Sequence, residues 1–281
     1  MPGRTHEVTR LEGFSDAVFG FALTLLVVSL ETPRSVAELR VLAQGFVPFA
    51  VTFAMVCWIW YQHNFYFRRY GLQDPWTVFL NAVLLFVVLF YVYPLKFITT
   101  ALFGQFVFHD APTDTFGTIA DARMVMLLYS SGVVLIFGTF LLLYRHAWRR
   151  RARLALDPED EVILRYEARA HLISLSLGLA SIAVVLVDPM RAPIAGMLYI
   201  LMGPLHGLNG YQQGRAVHAL RAATAEAPDP GTADGSRSAG LAEPTAAAVA
   251  GGADPSPPAA PPGPPDAATR TGAGTRQATD A

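Results

Sequence analysis

The residues of this chain that could do chemistry are few, and most lie where apolar runs begin or end. Arg10, Ser15 and Asp16 lead the first run, His63 closes the second, and Asn81 opens the third. Ionisable groups at membrane depth are costly and face protein or a water-filled path. A buried Asp16 therefore needs a donor, which Arg10, His63 or Asn81 can supply. The alternative is a set of helix ends facing solvent independently. Asp16 and Asn81 both sit inside apolar runs, which favours a connected inter-helix network. Catalytic residues are not expected: the sequence has no His-Glu-x-x-His, no Gly-x-Ser-x-Gly, no phosphate-binding glycine loop and no pair of intramembrane aspartates. His63 and His109 fall on opposite expected sides and cannot share a metal. The single cysteine, Cys57, excludes an intrachain disulfide and a cysteine-based zinc site. No metal and no cofactor are expected.

What must position these residues is a bundle of membrane helices. Of 281 residues, 53% are hydrophobic and 15% charged, against roughly 25% charged in soluble domains. The net charge of −1, with no basic stripe interleaved with aromatics, leaves no role for nucleic acid. The expected fold is an all-α membrane protein with six transmembrane helices near residues 12–30, 39–62 (kinked at Pro48), 76–98, 123–144, 171–187 and 193–209. The acidic stretch after Asp157 is expected to start a short cytoplasmic helix leading into the fifth span. Residues 1–9 are expected as a short leader, 10–222 as the membrane domain, and 223–281, rich in Ala, Pro and Gly, as a disordered tail. Arginines concentrate before the first run, after the second, after the fourth and after the sixth. That bias places both termini in the cytoplasm of a multi-pass protein of the cell membrane. Trp58, Trp60, Tyr61, Tyr66, Tyr70 and Trp76 are expected to form an interfacial belt.

The first run carries a further pattern. At about 100° per residue, Phe14, Ala17, Phe21, Thr24, Leu25 and Val28 share one stripe, whereas Ser15 and Asp16 point elsewhere. A plain signal anchor would have the apolar stripe, but the polar pair beside it suggests more than anchoring.

The stretch Phe14-Ser15-Asp16-Ala17-Val18-Phe19, followed by Leu23-Thr24-Leu25-Leu26-Val27 and preceded by Arg10, resembles the signature of the transmembrane protein 175 family. Trp60-Tyr61-Gln62-His63 and Asn81 agree with it. Lysosomal and prokaryotic members of that family are potassium channels. The resemblance implies a homotetramer in the lipid bilayer whose first helix lines the pore. Potassium would pass a hydrophobic constriction at Phe21, with Thr24 one turn deeper and Leu25 or Val28 beyond. Arg10, Phe14, Ser15, Asp16, Trp60, His63 and Asn81 would hold the pore helix in place. Two positions depart from the family pattern: Phe21 stands where an aliphatic residue is usual, and Gly20 where alanine is frequent. Two other readings stay open on the sequence. One is a carrier or proton-leak protein relaying protons through Asp16 and His63. The other is a non-conducting structural membrane protein sealed by Phe21.

Overall fold

The computed structural model describes residues 9–104 and 117–226, and among them all regular secondary structure is helical. The first helix, α1 (Arg10–Val28), starts at a capping box in which Thr9 and Glu12 satisfy each other's backbone N–H groups. Next come α2 (Val36–Gln44), capped by Ser35, and α3 (Phe46–Tyr70), which ends on Gly71 in the left-handed region (φ 56°). The pair α2–α3 bends by 42°, and the bend falls at Gly45, not at Pro48. Pro48 occupies the third position of α3, where its missing N–H would have had no intrahelical partner anyway.

Helix α4 (Pro75–Phe103) opens with Asp74 and Pro75 and continues through Pro94. Helix α5 (Ile119–Leu154) has 36 residues and its own Thr118–Asp121 capping box. At 1.5 Å per residue it is about 54 Å long, well beyond a hydrocarbon core of about 30 Å. Helix α6 (Pro158–Val187) runs unbroken from its Asp157 cap. The short helix expected before the fifth span is thus the first part of that span's own helix. Then follow a 3-10 turn (Pro189–Arg191), α7 (Ala192–Met197), a second 3-10 turn (Leu198–Leu201) and α8 (Met202–Glu226). Residues 223–226, counted with the tail on sequence, belong to α8; the rest of that segment, like residues 1–8, lies outside the described residues.

Among the described residues, α1, α4, α5 and α6 are each long and apolar enough to cross a membrane, and α2–α3 makes a fifth if taken as one bent span. The stretch 193–209, expected as a sixth span, is divided among α7, the second 3-10 turn and the start of α8.

The core is built where α4 packs against α1, α3 and α5, and where α6 packs on α5 and α8. Tyr66, Phe67, Phe140, Leu143, Tyr144 and Leu164 are fully buried there, and Tyr66 donates its hydroxyl to the Leu143 carbonyl (3.0 Å). Tyr66 and Tyr70 therefore leave the expected interfacial belt, because they share the α3 face of His63 and Phe67 and turn towards Tyr144. Trp58, Trp60, Tyr61 and Trp76 keep exposed surfaces. Gly132 of α5 lets helices approach closely: a Cβ there would lie 2.0 Å from the Tyr91 ring.

Candidate functional site: the first helix and its supports

One side of α1 is sealed against its own protomer and the other is open. Glu12, Ser15, Phe19, Ala22 and Leu26 are buried. Gly13, Phe14, Asp16, Ala17, Gly20, Phe21, Thr24, Val27 and Val28 are exposed. The stripe derived from spacing is thus open along its length, with Phe21 57% and Val28 77% exposed; Leu25, half-buried, marks its edge. Thr24 donates its hydroxyl to the Phe21 carbonyl (2.7 Å), which leaves its oxygen lone pairs free to accept from the open side.

The sealed face is held by a polar chain. His63 Nε2–H donates to Asn81 Oδ1 (2.7 Å), Asn81 Nδ2 donates to Ser15 Oγ (2.9 Å), and Ser15 Oγ donates to the Leu11 carbonyl (2.8 Å). All three side chains are buried. The imidazole lies between Phe19 (5.4 Å between ring centroids) and Phe67 (4.5 Å). Three helices, α1, α3 and α4, are joined by this chain.

Asp16 does not belong to it. It is exposed, and its carboxylate accepts from Trp60 Nε1 (2.8 Å), not from Arg10, His63 or Asn81. The reason is helical geometry: adjacent residues diverge by about 100°, so Ser15 and Asp16 cannot both face the same neighbour. Ser15 turns to α4 and Asp16 to the α3 tryptophan. Arg10 is exposed and joins neither group, and Phe14 lies on the open arc, not among the supports. Of the seven support residues expected on sequence, the structure brings together five, in two separate contacts.

A further support went unrecognised on sequence. Lys96 of α4 donates its ammonium to the Ser29 carbonyl (3.0 Å) and to Ser29 Oγ (2.7 Å). Ser29 is the C-cap of α1, whose last turn contains no basic residue of its own. The lysine therefore meets orphan carbonyls and the negative end of the helix dipole. Its signal was a lone lysine in the most apolar run of the chain. From Ser15 to Ser29 and from Asn81 to Lys96 the two helices rise by about 21 and 22 Å, so α4 grips α1 at both ends, in register and in parallel. Among the described residues no cluster of three His, Cys, Asp or Glu side chains could hold a metal. Residue 109 lies outside the described residues.

Residues 10–91 match the model of the family described as the endosomal/lysosomal potassium channel TMEM175, a segment that covers α1 to most of α4. A potassium channel of Marivirga tractuosa is 37% identical over 212 residues, covering 72% of this chain and 86% of its own. A potassium channel of Chamaesiphon minutus is 28% identical over 149 residues, covering 50% of this chain and 66% of its own. Among solved structures, a variant of the potassium channel MtTMEM175 in complex with a nanobody fusion protein superposes with a TM-score of 0.67 at 35% identity, covering 75% of this chain and 96% of that one.

Proposed function

The chain belongs to the TMEM175 family and is a potassium channel, and we propose that its ion path is lined by α1 helices from four copies. The observation that carries this reading is the mixed character of the open arc of α1. Gly13, Asp16, Ala17, Gly20 and Thr24 lie there beside Phe14, Phe21, Val27 and Val28. Lipid would leave the Asp16 carboxylate expensively solvated. Small residues spaced by four, Gly13 with Ala17 and Gly20 with Thr24, suit close approach of another helix. An axis shared by copies of α1 satisfies both.

On this reading the constriction is a ring of Phe21 side chains, followed one turn on by Thr24 and then by Leu25 and Val28. Such a ring gates by dewetting, not by backbone carbonyls. Phenyl faces also attract a cation, by about 0.5–2 kcal/mol each depending on desolvation. The bent pair α2–α3 makes the second of six crossings and the segment α7–α8 the last, with both termini in the cytoplasm. The clustering of arginines at the ends of α3 and α5 and in α8 supports that orientation.

The deciding experiment is potassium flux from liposomes holding the purified full chain. Flux by the wild type, increased in Phe21→Ala, is the expected result. Silence of both proteins would end the proposal. Saturable, proton-driven flux without single-channel events would favour a carrier instead.

A further inference from the structure

Helix α5 does not stop at the membrane boundary, and its open face changes character there. Leu128, Leu135 and Leu142 are exposed (37–49%), seven residues apart and so on one side of the helix. On the same side follow Arg145, Arg149 and Arg153, all exposed. Because α5 is continuous to Leu154, the arginines stand at successive intervals of four and form one stripe. Like charges at that spacing repel and destabilise a helix, so an uncompensated stripe calls for anions.

The protein's own acids nearby are engaged elsewhere. At the start of α6, Asp160 pairs with Arg69, Glu159 with Arg221 (2.9 Å) and Glu161 with Arg151 (3.7 Å). Asp157 accepts the Asp160 backbone N–H as the helix cap (2.7 Å). Arg145, Arg149 and Arg153 make no ion pair with any described residue. The depth of the stripe is marked independently by Trp148, half-buried and overlaid by the guanidinium groups of Arg151 (4.5 Å) and Arg165 (5.3 Å). Tryptophan concentrates at the headgroup level, and the exposed leucines run into the arginines at that same level.

We propose that Arg145, Arg149 and Arg153 form a binding site for the phosphate headgroups of anionic phospholipids, whose acyl chains lie along Leu142 and Leu135. This does not depend on which helix lines the ion path, only on α5 crossing the membrane. Arginine suits the ligand, since its guanidinium binds phosphate oxygens in a bidentate fashion.

Native mass spectrometry of the full-length protein, released from micelles holding equal phosphatidylglycerol and phosphatidylcholine, tests it. Wild type is expected to retain phosphatidylglycerol preferentially, and the preference to fall as salt rises. Near an anionic surface each arginine is worth roughly fivefold in binding, so Arg145→Gln/Arg149→Gln/Arg153→Gln should lose at least tenfold of the preference. The corresponding triple lysine variant should retain most of it, and the charge-matched Arg34→Gln/Arg40→Gln/Arg191→Gln should retain all. Inorganic phosphate at matched concentration should not displace the lipid. Equal retention of the two lipids by wild type would overturn the proposal, as would undiminished phosphatidylglycerol binding by the triple glutamine variant. So would dissociation of that variant into monomers with its lipids intact, which would assign the stripe to contacts between copies.

Discussion

Asn81 is the hinge of the support chain, because it satisfies Ser15 with one end of its amide and His63 with the other. Truncating it removes both contacts and leaves buried polar groups behind. Hydrogen bonds between membrane helices average only about 0.6 kcal/mol, but stranding a buried partner costs about 1–3 kcal/mol, and the second effect dominates here. Asn81→Ala should therefore lower the thermal midpoint in detergent by several degrees. An unchanged midpoint would mean that packing alone holds α1. At the open face, Thr24→Ala should reduce the preference for potassium over sodium, read as a shift of reversal potential, without altering stability. Outside the membrane, burial of Asp74 opposes its charge, but hydrogen bonds from His146 (2.9 Å) and Thr77 (2.9 Å) outweigh burial and hold its carboxyl below the usual value. A folded value below the unfolded one of about 3.9 stabilises fully above that pH, and the contribution is lost as pH falls through the lowered value. Melting curves of wild type and Asp74→Asn should thus differ more at pH 6 than at pH 3.

At the scale of elements, α1 is gripped by α4 at two heights. Removing the upper grip with Lys96→Met leaves the Ser29 carbonyl and hydroxyl without their cation while the Ser15–Asn81 contact persists. Cysteine accessibility should consequently rise at the Val28 end of α1 and stay unchanged at the Phe14 end, and Lys96→Arg should restore the wild-type pattern. Uniform change along the helix would argue against two independent grips. On α5, the close approach of Gly132 to Tyr91 leaves no room for a branched side chain, and overpacking of this kind costs about 1–3 kcal/mol.

For the whole molecule, the question is what covers the open arc of α1. A tetramer built around it brings four copies of Gly20 and Thr24 together. In a Cys57→Ser background, a cysteine at Gly20 or Thr24 should cross-link between copies under mild oxidation, whereas one at Leu135 on α5 should not. Cross-linking at Leu135 alone would place the axis on the wrong helix.

Much of this was legible in the chain itself. The helical class, the membrane setting and the apolar stripe of α1 follow from composition and period, because burial in lipid forces backbone groups into helices and separates residue types by face. The support chain was legible in part: His63 and Asn81 were expected to reach the first helix, but through Asp16, whereas Ser15 makes the link. Tertiary packing alone decided the rest. That Asp16 pairs with Trp60, that Lys96 caps a helix some seventy positions earlier, and that Gly45, not Pro48, takes the bend all depend on which helix lies beside which, and at what rotation. Such pairings join residues distant along the chain, and no local spacing encodes them.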